Sequence, residues 1–138
     1  MERSAVADQA RLPVCGFLVP VLRDSNRQPH RPVLWDLLQD ALVERFEGFG
    51  GPETVLYYRT AEPVTGVWSP EKGRNLVEDL SRKYTVALAS EHLGELRALL
   101  RRVGNSFDQR VMYLEVAGYA ELLEVRPRDG FLEDLTDE

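Results

Sequence analysis

The feature that most constrains the fold of this chain is the order in which its hydrophobic periodicity changes. An apolar run from Val14 to Leu22, interrupted by Gly16 and ended near Pro20, has the length of a strand buried on at least one side. Asp24 to Arg31 is polar and carries Pro29, and Pro32 can then take the first turn of a helix, where its missing N–H costs nothing. From there Leu34, Leu38, Ala41 and Leu42, flanked by Leu37 and Phe46, recur at helical spacing, while Asp36, Gln39, Asp40 and Glu44 fall on the other side. Gly48, Gly50 and Gly51 stop that helix and permit a tight reversal. They do not make a phosphate loop, because they follow a helix and lack a downstream Lys-Ser/Thr.

Thr54 to Thr60 is rich in Thr, Val and Tyr and reads as a second strand, continued through Val64 to Trp68 with bends at Pro63 and Gly66. After the turn at 69–73, Leu76 to Ala89 carries Tyr84, Val86 and Leu88 on one face and Lys83, Thr85 and Ala87 on the other, completing a long hairpin. Ser90 is placed to cap a second helix, whose stripe is Leu93, Leu96, Leu100, Val103 and Phe107 and whose end lies at Gly104-Asn105. Arg110 to Ala117 then alternates, with Met112, Leu114 and Val116 opposite Val111, Tyr113 and Glu115.

Strand, helix, two strands, helix, strand is the order of a ferredoxin-like βαββαβ sandwich. Right-handed crossovers then put both helices on one face of a four-stranded antiparallel sheet, with the first and third strands central and the other face open. The expected fold class is therefore α+β. At 138 residues one domain is expected. Residues 13–125 should form it, 1–12 a flexible N-terminal tail and 126–138 an acidic C-terminal tail whose Phe131, Leu132 and Leu135 could dock.

Composition narrows the function classes. No apolar run approaches the roughly 18 residues that span a bilayer, and Met1 to Arg11 lacks the apolar core of a secretory signal, so a soluble chain away from membranes is expected. Cys15 is the single cysteine, which excludes an intrachain disulfide, suits a small buried hydrophobe and fits a reducing, cytoplasmic setting. The formal charge of −6 opposes a phosphate backbone, so nucleic acid is not an expected partner. The strand Arg82-Lys83-Tyr84-Thr85-Val86-Ala87 also lacks the aromatic alternation of an RNA-recognition strand. Arg23, Arg27, His30 and Arg31 form a local basic stretch that could bind an anion or simply be a solvated loop.

Within this frame several short motifs stand at particular places: Trp35, Phe49-Gly50-Gly51 with Thr54, Gly66-Val67-Trp68, Glu78, and Phe107-Asp108-Gln109. From Val14 to Val125 the pattern resembles uncharacterised bacterial ferredoxin-like proteins, domains of unknown function with an early helix Trp, an F-x-G-x-T turn, a G-x-W turn and an F-x-Q entering the last strand. The resemblance implies a fold and no particular activity. The segment Tyr58 to Val64 departs from it in being longer and more polar.

No metal-ligand set, cofactor motif or nucleophile signature is present. His30 and His92, about sixty positions apart, do not supply the three or four ligands zinc takes, so neither metal nor cofactor is expected. His30 is the better candidate for proton transfer, with Arg27 and Arg31 nearby to favour its neutral form. Tyr57, Arg59, Trp68, Glu78, Arg82, Gln109, Tyr113 and Glu115 lie on or beside predicted strands, where they could line a shallow pocket or serve as ordinary cross-strand pairs. Two functions follow. The first is a binding or interaction module that uses the open sheet face for a small ligand or for a second copy in a homodimer, because Tyr57, Val111 and Tyr113 would leave an apolar surface there. The second is a small enzyme of the dimeric α+β barrel kind, with His30 or Glu78 as acid or base.

Overall fold

The continuous apolar run of the sequence forms β1, Val14–Pro20. It sits mid-sheet in the computed structural model of the chain, which describes residues 12–60 and 76–137. β1 is followed by α1 (Pro32–Phe46), β2 (Gly50–Thr60), β3 (Leu76–Ala87), α2 (Leu93–Ser106), β4 (Val111–Val116) and β5 (Tyr119–Glu124). The five strands make one sheet in the order β2-β3-β1-β4-β5, antiparallel throughout. β1 pairs with β3 from Val14↔Ala87 to Pro20↔Ser81 and with β4 from Cys15↔Val116 to Leu18↔Tyr113. The β2–β3 ribbon outruns this centre, with Leu76 to Leu80 paired to β2 alone within the sheet ladder.

Local signals explain the helix ends. Pro32 occupies the first turn of α1, and Glu47 closes it in the left-handed region at φ 68°, its N–H donating to the Val43 carbonyl at 2.9 Å. Ser90 makes no side-chain cap; it opens a single 3₁₀ turn, Ser90–His92, that leads into α2. Both helices lie on the face of the sheet that carries Cys15, Phe17, Val19, Tyr84, Val86, Met112 and Leu114. Leu34, Leu38 and Leu42 of α1 and Leu96, Leu100 and Val103 of α2 complete this core. Phe17 stacks on Tyr84, ring centroids 5.5 Å apart, at the middle of the layer.

Two expectations are corrected. The sheet has five strands rather than four, because the chain reverses at Ala117 (φ 43°) and Gly118 (φ 104°) and returns as β5 along β4, from Val116↔Tyr119 to Val111↔Glu124. A two-residue loop with both φ positive matches the twist of a tight hairpin. The 126–138 stretch is likewise no free acidic tail as far as it is described. It forms 3₁₀ turns at Pro127–Asp129 and Leu132–Asp137, and Leu132 is buried in the core with Leu135 packed beside it. Glu133 meets Arg31 at 3.1 Å and contacts Ser106, so part of the acidity is spent on the helices' side of the molecule. Residues 1–11 of the expected N-terminal tail lie outside the described residues.

Truncating Leu100, fully buried where α2 meets the sheet, should cost about 2–5 kcal/mol. Chemical denaturation of Leu100→Ala measures this, and unchanged stability would contradict the packing of α2 on the sheet.

Candidate functional site

Strand alternation divides the sheet into two chemically different faces. Because Cys15, Phe17 and Val19 point to the helices, Gly16 and Leu18 point away, and so do their cross-strand neighbours Lys83, Thr85, Tyr113 and Glu115. Tyr57, opposite Asp79 on β2, shares this face. Its ring lies 5.5 Å from that of Tyr113, inclined at 47°. Neighbouring strands are about 4.8 Å apart, so side chains on β2 and β4 meet only by leaning toward each other across β3 and β1. Leu18 and Ser81, on the same face of those two intervening strands, are buried.

A polar string runs from the tyrosine pair. The Tyr113 hydroxyl donates to Glu115 Oε1 at 3.3 Å, and Lys83 Nζ donates to Glu115 Oε2 at 3.4 Å. Partial burial, the Glu115 charge and this hydrogen bond push the Tyr113 phenol up from its ordinary value, so it remains a donor at neutral pH. Gly16 makes the string possible. A Cβ there would stand 3.0 Å from Lys83 Cε and 3.7 Å from Glu115 Oε2, so a larger residue would have to push Lys83 aside.

His30 sits elsewhere, at the end of β1. It is buried, with its ring edge-on to Phe107 at 4.8 Å and to Trp35 at 5.7 Å. Nε2 lies 2.8 Å from the Pro20 carbonyl, which can only accept, so Nε2 carries the proton and Nδ1 is a bare acceptor. That Nδ1 is buried without a partner. Desolvation lowers the His30 pKa, with Arg23 acting in the same direction, while the bond to Pro20, Asp108 and Asp24 oppose. The neutral form expected from the sequence is thus favoured, but chiefly by burial, and the cation responsible is Arg23 rather than Arg27 or Arg31. Trp35 also packs on Phe107 at 4.8 Å and carries the Arg82 guanidinium 4.0 Å over its ring.

The same knot employs Gln109 and Asp108. Gln109 is buried and its amide donates to the Leu22 and Phe107 carbonyls, at 2.9 and 2.8 Å. Asp108 accepts from the Ser25 backbone N–H and contacts the Ser25 hydroxyl, while Asp24 accepts from the Arg110 N–H. These bonds staple the 22–31 loop to the turn before β4. The basic stretch in that loop is not a free anion site: Arg23 faces Asp108 at 3.5 Å, Arg27 faces Asp79 at 3.3 Å and Arg31 faces Glu133 at 3.1 Å.

Of the nine residues singled out from the sequence, the structure brings together Tyr57, Tyr113 and Glu115, while Arg82 lies over Trp35 on the opposite face. Glu78 lies opposite Tyr58 and two residues from Leu80, on the side of the ribbon that carries Arg82, so it faces away from the tyrosine pair. Gln109 and His30 belong to the buried knot. Arg59 pairs with Val77 in the ribbon backbone, its side chain being outside the described residues, as is Trp68 altogether. Lys83 completes the polar string and was not singled out; its alternation with Tyr84 was the available signal. Among the described residues no three His, Cys, Asp or Glu side chains gather as metal ligands, and no helix is long and apolar enough to cross a membrane.

No protein-family model matches this chain, and no curated protein sequence does. Among solved structures, a phage SAM lyase in its apo state is similar at 15% identity and a TM-score of 0.47, over 83% of this chain and 90% of that one. A phage SAM lyase in complex with S-methyl-5'-thioadenosine is similar at 15% identity and a TM-score of 0.50 over the same shares. The second likeness bears on the α+β fold alone.

The His30 environment predicts a pH dependence. Its folded-state pKa lies below the unfolded value near 6.5, so its contribution is complete above that pH and is lost as pH falls toward the lower folded value. Thermal unfolding of the wild type should weaken between pH 7 and pH 5 more steeply than that of His30→Gln. Parallel profiles would show that His30 does not titrate in this way.

Proposed function

We propose that this chain is a small-ligand-binding protein on a ferredoxin-like frame extended by β5, with the ligand lying on the face opposite the helices. The observation that carries this is the meeting of Tyr57 and Tyr113 across two intervening strands, with Glu115 and Lys83 beside them. Two rings offer a stacking surface to a flat heterocycle, and the carboxylate and ammonium offer an acceptor and a donor to its polar edge. The phage SAM lyase of similar fold is in complex with S-methyl-5'-thioadenosine, a purine nucleoside thioether, which makes that compound and adenosine the first probes. The free thiol of Cys15 fits the cytoplasmic setting we assign.

The enzyme reading keeps less support, since neither His30 nor Glu78 reaches this face. An acid–base role beside the tyrosines would fall to Glu115. Self-association has its own observation: Val111 and Leu122, on the same face, are 48% and 70% exposed. A homodimer through this face would bury them together with the tyrosines.

Calorimetric titration with the two nucleosides should show saturable binding, weakened about tenfold in Tyr57→Ala and in Tyr113→Ala, the loss of roughly 1–3 kcal/mol expected for one stacked base. Absence of binding, or variants that bind as tightly as the wild type, would overturn the ligand reading. Light scattering at micromolar concentration tests the alternative: a dimer shifted to monomer by Tyr113→Asp supports it, and a monomeric wild type excludes it at that concentration.

A further inference from the structure

A polar concavity lies where α2, the end of β5 and the Pro127–Asp129 turn meet. It measures about 360 Å³ and is lined by Arg101, Glu124, Arg126, Arg128 and Asp129. Three guanidiniums in one notch are unexpected in a chain with 23 acidic and 17 basic residues. Several other arginines are answered by carboxylates: Arg97 holds Glu121 through two bonds of 2.8 and 2.7 Å, Arg45 meets Glu95, and the three arginines of the 22–31 loop each have an acidic partner, while Arg82 lies over the Trp35 ring and Arg102 donates to the Phe131 carbonyl. In the notch Arg126 meets Glu124 at 3.0 Å, whereas Arg101 and Arg128 have no carboxylate at ion-pair distance among the described residues. Asp129 bonds the Arg126 backbone N–H through Oδ2 at 2.8 Å and stands at ion-pair distance from neither arginine, so the notch sets three guanidiniums against two carboxylates and keeps an excess of positive charge.

The frame that carries these arginines is fixed. Asn105 Nδ2 on α2 donates to the carbonyls of Arg126 and Gly130, at 2.7 and 2.8 Å, and so ties both ends of the turn to the helix. Gly104, one residue earlier, lets Val125 approach so closely that a Cβ there would meet Val125 Cγ2 at 2.4 Å. Val125 in turn donates its N–H to the Arg110 carbonyl at 2.9 Å. The guanidiniums therefore hang from a backbone that needs no reordering when a ligand arrives, which lowers the entropic cost of binding.

We propose that this notch binds a phosphate group, held between the guanidiniums of Arg101 and Arg128 with Arg126 completing the ring of donors. Planar guanidinium forks match phosphate oxygens two at a time, and a tetrahedral dianion uses several forks where a carboxylate satisfies one. Glu124, 70% exposed in its side chain, forms only a surface pair with Arg126, which an incoming dianion displaces at little cost. The site is separate from the tyrosine face, and neither reading depends on the other.

Amide NMR of the full chain, titrated with inorganic phosphate against chloride at matched ionic strength, tests the proposal. Saturable shifts are expected at residues 101–105 and 124–130. Arg101→Gln with Arg128→Gln should weaken binding at least tenfold, while Arg45→Gln on α1 should leave it unchanged. A second arm with glycerol phosphate identifies the source: tighter binding than inorganic phosphate points to a phosphomonoester, and equal binding to the free ion. Shifts that track ionic strength without saturating, or a double variant that binds like the wild type, would overturn the assignment.

Discussion

The structure depends on β1 being paired on both edges and buried on both faces. Its backbone bonds to β3 on one side and β4 on the other, so every strand of the sheet is placed relative to it. Cys15, Phe17 and Val19 are spent on the core beneath α1 and α2, and that single row of residues fixes which way all neighbours on the sheet must point. A slip of one residue in β1 would turn Phe17 away from the helices and Gly16 and Leu18 into the core, removing the glycine over which Lys83 and Glu115 meet. Core packing and the arrangement of the tyrosine face are thus one constraint seen from two sides.

This is why the main elements were legible in the sequence. A strand buried on both faces writes a continuous apolar run, and Val14 to Leu22 is one; half-buried strands write alternation, and Tyr84–Val86–Leu88 and Met112–Leu114–Val116 show it. β5 was not legible, because Tyr119-Ala-Glu-Leu-Leu-Glu has no period of two: only Leu123 of its apolar residues is buried, while Leu122 faces solvent. The reversal before it uses Ala117-Gly118 in place of the Asn-Gly or Asp-Gly that marks such hairpins, and Ala pays for a positive φ that nothing in its side chain advertises. The docking of the C-terminal stretch was partly legible: of the apolar residues Phe131, Leu132 and Leu135 that mark it, Leu132 is buried and Leu135 packs beside it, while Phe131 is exposed, a choice that depends on the helix surface waiting for them.

The candidate site was half legible, and the division follows from parity. Tyr113 could be placed on the open face by counting from the core residues Met112 and Leu114, and Tyr57 follows once β2 is registered on β3. Glu78 fails the same count, because it shares parity with Arg82 and Tyr84 and so belongs to the helices' side. Neither His30 nor Gln109 could be judged by counting. Their burial arises from a tertiary event, the stapling of the 22–31 loop to the turn at Phe107–Gln109, and loop residues carry no period from which burial can be inferred.

The distribution of charge gives the last step. The acid excess is not spread evenly: carboxylates of the strands, of the turn at Asp108 and of the C-terminal turns are matched to the arginines of the 22–31 loop and to Arg97 of α2, where they staple one segment to another. Pairs used in this way are structural, since breaking one loosens a connection and leaves a partner uncompensated. Lys83 and Glu115 differ, because they join β3 to β4 across β1, strands already held together by backbone bonds, and meet over a glycine that leaves room above them. The sheet loses little when such a pair opens. Polar groups whose partners can be exchanged without cost to the fold are the ones free to accept a ligand, and on the open face they stand beside the two tyrosines.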